Sequence, residues 1–433
     1  MSSASDRRVY LPTDRVRRGL AKRYAAERRF RVACLAAISS ALLFLAFLFG
    51  SIFSNGVGAF SQNYLALELD LAEELIDPAG NRDPRALAAA DYRSLIRGAF
   101  EERFPSVSGR ADRRQLHALI SSGAEFDLRD RVVRDPVLVG QRQVFRLPLS
   151  DDADMLLKGR ISRQVPEAER RVSDRQIAWL DDLASSGQIE KRFNLAFFTR
   201  GDSREPELAG IWGAVVGSFY TMVVTLVLSF PLGAGAALYL EEFAPKNRWT
   251  DLIEININNL AAVPSIVFGL LGLSVFLNFL KLPRSAPLVG GLVLSLMTLP
   301  TIIIASRAAL QAVPPSIREA AYGLGASPLQ VMAHHVLPLA MPGMLTGTII
   351  GMARALGETA PLLMIGMVAF VVDVPGGVFD PATALPVQVY LWADSPERAF
   401  VEKTSAAIIV LLGFLVLMNL AAVVLRRRSE IRW

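Results

Sequence analysis

The chain has 433 residues, of which 52% are hydrophobic and 20% are charged. This apolar fraction is high for a soluble globular protein and favours an integral membrane protein. The formal net charge of +5 would suit binding to nucleic acid. The basic residues lie beside long apolar runs, however, so we attribute them to membrane topology and expect no nucleic-acid partner. The single cysteine, Cys34, excludes a disulfide within the chain.

The histidines do not form a metal-binding pattern. The sequence contains His117, His334 and His335. Adjacent residues on a helix point about 100° apart, so His334 and His335 would be a poor pair of ligands for one ion. We therefore expect no metal site.

A basic tail, residues 1–31, precedes the first apolar run. The run Val32–Phe53 has the length needed to cross a bilayer and predicts a transmembrane helix over residues 32–54. A cleaved signal peptide is the alternative, but the run is long and no clear small-residue cleavage site follows it. The basic residues of the tail are Arg7, Arg8, Arg15, Arg17, Arg18, Lys22, Arg23, Arg28, Arg29 and Arg31. We expect this tail to be cytoplasmic.

Residues 55–208 differ sharply from their surroundings, because they are charged and contain no segment long enough to span a membrane. A segment of this length can bury a modest core, so we expect a folded extracytoplasmic α+β domain. No paired catalytic residues are evident in it. The expected elements are helices at Asn63–Ile76 and Asp83–Phe100, a strand at Val137–Leu149, and an amphipathic helix begun by a capping box of Ser173 and Gln176.

The second half of the chain, residues 209–425, reads as a mainly α membrane bundle. Together with the first span it gives six crossings, with both termini and a loop at 314–338 in the cytoplasm. The further spans are expected at Ile211–Leu240, Val263–Leu280, Leu288–Leu310, Pro342–Val371 and Thr404–Leu425. Residues 251–262 are semi-polar and are expected at the cytoplasmic interface. Residues 426–433 form a second basic tail.

Basic residues support this orientation. Besides the amino-terminal tail, the short segments expected inside carry Lys246, Arg248, Arg307, Arg318, Arg426, Arg427, Arg428 and Arg432. The two short segments expected outside carry only Lys281, Arg284, Arg398 and Lys403. This asymmetry has the sign of the positive-inside rule.

The loop at 314–338 has the pattern of two short helices around a glycine turn. Ser316 and Glu319 are spaced as a capping box for a helix at about 317–324. Gly325 suits a left-handed helix cap. A second helix is expected to begin with Ser327 as its N-cap and Pro328 as its first residue, and to stop before Pro338.

The order of residues in this loop resembles the EAA loop of ABC importer permeases. The matching positions are Glu319, Ala320, Ala321, Gly325 and Pro338. Small residues allow close approach and Glu319 offers a charge, which suits a docking surface. The alternative is an ordinary helix–turn–helix connection between two spans.

A nucleotide site is not expected on this chain. A phosphate-binding P-loop requires Gly-Lys-Ser/Thr, and none of the six lysines follows a glycine. Any ATP and Mg²⁺ must therefore be bound by a partner ATPase, and this chain needs no cofactor and is not expected to be an enzyme.

The fifth predicted span contains Arg354 and Glu358, four residues apart and so on one face of a helix. An arginine in hydrocarbon costs at least about 2.5–3.5 kcal/mol, so Arg354 should face a polar path or a protein interior. Its planar guanidinium suits phosphate oxygens. A purely structural ion pair between helices is the alternative.

Five segments resemble PstA-type phosphate permeases, and the resemblance covers about residues 209–425. They are Ala353–Leu362, Val263–Gly269, Thr383–Gln388, Pro231–Gly233 and Tyr239–Glu242. Residues 55–208 resemble the enlarged amino-terminal region of a subset of these permeases, and nothing about the role of that region is implied.

The resemblance implies one subunit of a binding-protein-dependent phosphate importer in the bacterial inner membrane. Its partners would be a homologous second permease, two ATPase subunits, a periplasmic phosphate-binding protein and membrane lipid. The segment Glu319–Pro338 would dock in a groove of the ATPase, and Arg354, Glu358 and Thr359 would line the translocation path. Alternatives are a permease for phosphonate, molybdate or sulfate, or a membrane sensor reading signals through residues 55–208. A membrane-embedded enzyme is disfavoured, because the spans lack an evident nucleophile–base set.

Overall fold

The computed structural model describes residues 14–429. Arg7, Arg8 and Arg432, which belong to the predicted basic tails, lie outside this part. By the density of contacts the chain divides into two compact units, residues 1–54 and 55–433. The described part of the first unit, residues 14–54, lies entirely in helix α1, Asp14–Gly56, which carries the predicted first span.

The α+β region follows α1 and combines short helices with a small sheet. Its strands are β1 (Ser61–Asp70), β2 (Arg142–Pro148) and β3 (Ile189–Phe193). Its helices are α2 (Glu73–Ile76), α3 (Pro84–Ala89), α4 (Tyr92–Arg103), α5 (Arg110–His117), α6 (Ala124–Arg134), α7 (Asp151–Leu157), α8 (Asp174–Ser185) and α9 (Leu195–Thr199). An α+β character for this region agrees with the sequence.

The central strand β1 corrects one prediction. The helix expected at Asn63–Ile76 is wrong over most of its length, since the chain forms β1 between antiparallel β2 and β3. Leu65, Leu67 and Leu69 alternate with polar or small residues and are buried. A period of two places them on one face of a strand and would scatter them around a helix.

The other elements expected in this region are present with shifted bounds. The helix expected at Asp83–Phe100 is interrupted after α3, because Asp91 begins a new helix by accepting a hydrogen bond from the Ser94 amide at 3.0 Å. The capping box of α8 is confirmed. The Ser173 amide donates to Gln176 Oε1 at 2.9 Å, and the Gln176 amide donates to Ser173 Oγ at 3.3 Å.

Five helices are long and apolar enough to cross a membrane, or six if a bent pair counts as one span, within residues 14–429. After α1, the long helices are α10 (Trp212–Leu238), α13 (Pro287–Gln311), α16 (Leu337–Leu356) and α19 (Arg398–Ser429). The bent pair is α11 (Arg248–Ala261) with α12 (Ser265–Leu271), the latter continued by π-type turns at Gly272–Phe279, and the two parts meet at 104°. The remaining helices are α14 (Pro315–Gly323), α15 (Pro328–Val331), α17 (Ala360–Met364) and α18 (Leu385–Ala393).

The predicted fifth span is wrong at both ends. A continuous helix runs from Pro328 to Leu356, through α15, a π-type segment at Met332–Val336 and α16. Beyond Leu356 the chain leaves the long helix and forms only the short α17. The span is therefore shifted towards the amino terminus relative to the predicted Pro342–Val371.

The α+β region and the long helices share cores. Ala399 of α19 lies in the core of the α+β region. A second apolar cluster joins Phe197 of α9 to Trp392 of α18 and Phe400 of α19. Between these clusters, buried Lys158 Nζ lies 2.7 Å from Asp154 Oδ2 and 3.0 Å from Glu402 Oε1. These contacts explain why residues 55–433 form one compact unit.

Helix α13 packs closely against both α10 and α16. A Cβ added at Gly291 of α13 would lie 2.5 Å from Val224 Cβ of α10. A Cβ added at Gly347 of α16 would lie 2.2 Å from Ala305 Cβ of α13. Small residues at such positions let membrane helices approach and gain dispersion contacts.

We predict that Gly347→Ala destabilises the fold. In an exposed helix alanine is favoured over glycine, but here the methyl group must displace Ala305, at a cost of about 1–3 kcal/mol. The measurement is the thermal midpoint of the detergent-solubilised chain by circular dichroism. Gly413→Ala on α19 is the control, because nothing lies within 4 Å of its added Cβ. Equal midpoints for the two variants would contradict the close packing.

Candidate functional site

The segment between α13 and α16 contains four of the five residues that match the EAA pattern, and the fifth, Pro338, is the second residue of α16. The first helix of the segment, α14, begins at Pro315, and no side chain caps it. The capping box predicted for Ser316 and Glu319 is therefore wrong. The helix starts two residues earlier than predicted, at Pro315, because proline has the backbone angle that a first helical residue requires. Ser316 thus lies inside the helix.

The turn after α14 forms as predicted at Gly325. Its φ of +84° is left-handed, a conformation that favours glycine. The Gly325 amide donates to the Tyr322 carbonyl at 2.9 Å, and the Ala326 amide donates to the Ala321 carbonyl at 3.1 Å. These two bonds make a complete Schellman motif.

The second helix begins as predicted but does not stop where expected. The Ser327 amide donates to Gln330 Oε1 at 2.9 Å, and the Gln330 amide donates to Ser327 Oγ at 3.4 Å, with Pro328 as the first helical residue. The prediction that this helix stops before Pro338 is wrong. Pro338 comes shortly after the π-type turns at Met332–Val336 and is the second residue of α16. A widened turn accommodates a proline that cannot donate to the preceding turn.

The inner side of the loop packs on the long helices. Ala321 of α14 and Val331 of α15 are buried in one cluster with Leu310 of α13 and Ala237 of α10. Ala321 is therefore a packing residue, and the small side chain lets α14 lie close to its neighbours.

One ion pair fixes the loop to the extension of α10, and two more join the long helices beside it. Arg318 Nη2 lies 2.7 Å from Glu242 Oε1, in the π-type extension of α10, and also donates to the Leu310 carbonyl at 3.0 Å. Arg307 of α13 lies 2.8 Å from Glu254 of α11 and 3.4 Å from Glu241. We name Arg307, Arg318, Glu241, Glu242 and Glu254 the anchoring cluster. Arg307 and Arg318 were used above only to predict topology. Their partners lie 53 to 76 residues away in the sequence, so no local pattern predicts the pairing.

The outer side of the loop is exposed and mixed in character. Glu319 and Ala320 are exposed, and Glu319 has no ion pair within residues 14–429. Tyr322, Leu324 and Leu329 are 49%, 89% and 67% exposed. These three residues were not among those predicted for the docking surface. Large apolar side chains that are clustered and exposed mark an interaction surface.

The predicted path residues lie at the end of α16. Arg354 is in the last turn of the helix, and its side chain is 54% exposed. Glu358 lies beyond the helix end, so the predicted shared helix face is wrong, yet Arg354 Nε remains 3.6 Å from Glu358 Oε1. Thr359 directly precedes α17, and its side chain accepts no capping hydrogen bond from the helix. A positive charge is favourable at a helix carboxyl terminus.

Two family models match the chain. The binding-protein-dependent transport system inner membrane component matches residues 229–431, and a domain of unknown function matches residues 17–167. The phosphate transport system permease protein PstA 1 of Mycobacterium tuberculosis is 34% identical over 228 residues, covering 52% of this chain and 74% of that protein. The chain belongs to the PstA-type family of ABC importer permeases. It is therefore a multi-pass membrane permease subunit.

Other relatives extend the comparison. PstA of Haemophilus influenzae is 30% identical, over 47% of this chain and 71% of that protein. The permease PstC of the same organism is 32% identical, over 40% of this chain and 63% of that protein. A solved inward-facing MetNI methionine ABC transporter overlaps 51% of this chain and 98% of its own at 18% identity, with a TM-score of 0.41.

We predict that Glu242→Gln loosens α14. Removing this charge weakens a partly exposed ion pair and leaves Arg318 its carbonyl acceptors, so we expect a loss of about 1 kcal/mol. Amide hydrogen exchange over residues 317–323 should then be about fivefold faster. Glu319→Gln is the matched control, since it also removes one carboxylate charge, but from the exposed side of α14, where Glu319 has no ion pair among residues 14–429. Unchanged exchange in Glu242→Gln would show that the anchoring cluster does not order the loop.

Proposed function

We propose that this permease imports inorganic phosphate, driven by ATP hydrolysis on a separate ATPase that docks on the loop at 314–338. The observation that carries the proposal is the construction of this loop. Its inner side is packed and ion-paired to the long helices, and its outer side presents Glu319 with exposed apolar residues. A rigid, partly apolar surface joined to several spans is what a partner needs in order to move them.

The anchoring cluster supplies the mechanical connection. A displacement of α14 acts on α10 through Glu242 and on α13 through the Leu310 carbonyl, because Arg318 contacts both. Arg307 extends the connection to α11 through Glu254. The ATPase shifts the spans between inward- and outward-facing states only if ATP favours one of them. Glu319, Ala320 and Gly325 act on the partner side, while Ala321 and Pro338 act within the chain.

The translocation path is the second part of the proposal. The Arg354 side chain is half exposed, and its Nε lies 3.6 Å from Glu358 Oε1. A guanidinium held by a carboxylate, but still open on one side, can donate to phosphate oxygens. In this arrangement Glu358 positions Arg354, and Thr359 adds a hydroxyl nearby. A second permease subunit completes the path from its other side.

Phosphate is favoured over other oxyanions by the relatives named as phosphate transport permeases, which reach 34% identity. Phosphonate, molybdate and sulfate are the competing substrates. The proposed assembly contains a second permease of PstC type, two ATPase subunits and a periplasmic phosphate-binding protein. The proposed orientation has both termini and the loop at 314–338 in the cytoplasm and the α+β region outside.

Arg354→Ala is expected to reduce uptake of radiolabelled phosphate at micromolar concentration in cells by roughly ten- to a hundredfold, since one charge-assisted contact is worth about 1.5–3 kcal/mol. Arg284→Ala is the control, because it removes an exposed arginine distant in sequence from the proposed path. Assembly of the complex is checked by co-purification. Normal uptake in Arg354→Ala would contradict a role for Arg354 in the translocation path and would favour a purely structural ion pair. Competition by excess sulfate, molybdate or phosphonate tests the substrate separately.

A cysteine at Ala320 is expected to cross-link to the ATPase in the assembled complex, because this side chain is exposed on the outer side of α14. Ala321→Cys is the matched control, since the neighbouring side chain is buried and should react poorly. Assembly without a cross-link from Ala320→Cys would contradict docking on this surface.

A further inference from the structure

The α+β region contains a cleft that the transport function does not use. It has a volume of about 710 Å³ and lies between α4 and α5, with the beginning of α6 at one end. Its walls carry the arginines Arg93, Arg97, Arg110, Arg113 and Arg114. We name this the arginine cleft. Pockets of about 300–1,000 Å³ are of the size that holds small organic ligands.

Two of the arginines hold the walls together. Arg93 of α4 makes a bidentate pair with Glu125 of α6, with both nitrogen–oxygen distances at 2.6 Å. Arg113 of α5 lies 3.0 Å from Glu101 of α4, and His117 Nε2 lies 2.9 Å from the other oxygen of Glu101. Burial lowers the pKa of His117. Glu101 is therefore the counter-charge of Arg113, and the cleft gains no charge from this histidine near neutral pH.

The other three arginines have no counter-charge among residues 14–429. Arg97, Arg110 and Arg114 are exposed, line the cleft, and make no ion pair with any residue of the described part, 14–429. Arg110 and Arg114 are four residues apart on α5, as Arg93 and Arg97 are on α4. Like charges at this spacing repel and destabilise a helix. An ordinary solvated surface spreads such charges, whereas these converge on one cavity from two facing helices.

We propose that the arginine cleft binds a small multivalent oxyanion. Guanidinium groups match the planar, paired oxygens of phosphoryl and carboxyl groups. Three uncompensated positive charges call for a ligand with several negative charges, and the cavity is too large to be filled by a single orthophosphate. Condensed or organic phosphates and polycarboxylates share this chemistry. The concave shape favours a small molecule over a flat protein surface.

The test is calorimetric titration of the purified full chain in detergent with tripolyphosphate, citrate and orthophosphate. Tripolyphosphate or citrate is expected to bind at least about tenfold more tightly than orthophosphate, because more arginines are neutralised at once. The tighter of the two identifies the phosphoryl or carboxyl source. Failure of both to bind, or equal affinity for orthophosphate, would overturn the proposal.

Variants locate the binding. Arg97→Gln and Arg114→Gln are expected to weaken the multivalent anion about tenfold each. Arg97→Lys keeps the charge but loses the planar fork, so an intermediate loss is expected. Arg85→Gln is the matched control, since Arg85 is exposed on α3 and does not line the cleft. An equal loss in Arg85→Gln would mean that net charge, and not the cleft, attracts the anion. Unchanged affinity in both cleft variants would place the binding elsewhere.

Discussion

Close packing of α13 between α10 and α16 is the constraint on which the permease part depends. In a membrane no water drives helices together, so contact depends on how nearly the backbones approach. Gly291 faces Val224 on one side of α13, and Gly347 faces Ala305 on the other. Since α13 leads directly into the loop at 314–338 and α16 follows it, the same packing fixes both ends of that loop. A displacement of the loop is therefore transmitted to α13 and α16.

The ion pairs of the anchoring cluster add to the apolar packing that holds the loop on the long helices. The anchoring cluster joins four helices at the end of the bundle where the loop lies, and its members are about one-fifth to one-third exposed. Pairs of this kind contribute modestly to stability. Their larger effect is geometric, because Arg318 contacts Glu242 and a backbone carbonyl of α13 at the same time. This fixes the direction of α14, which apolar contacts alone would leave free to rotate.

Local signals in the sequence predicted the features that depend on one or two neighbouring residues. The Schellman turn at Gly325 and the capping box of Ser327 follow from backbone conformation and hydrogen bonding within a few residues. Predictions failed where a neighbouring element decided the outcome. The alternating leucines of β1 required two partner strands to become a strand, and Pro338 continues a helix because π-type turns precede it. The pairing of Arg318 with Glu242 spans 76 residues and has no local signal.

The joint between the α+β region and α19 shows a different use of charge. Lys158, Asp154 and Glu402 are buried together, and Asn63 donates to Asp154 from both its backbone and its side chain at 2.9 and 2.8 Å. Burying such groups gives little net stability compared with apolar packing, but an uncompensated member would be costly. The buried charges of this cluster are compensated only when β1, α7 and α19 meet in one arrangement. It therefore specifies the orientation of the α+β region relative to α19. The apolar contacts of Phe197, Trp392 and Phe400 stabilise the same interface.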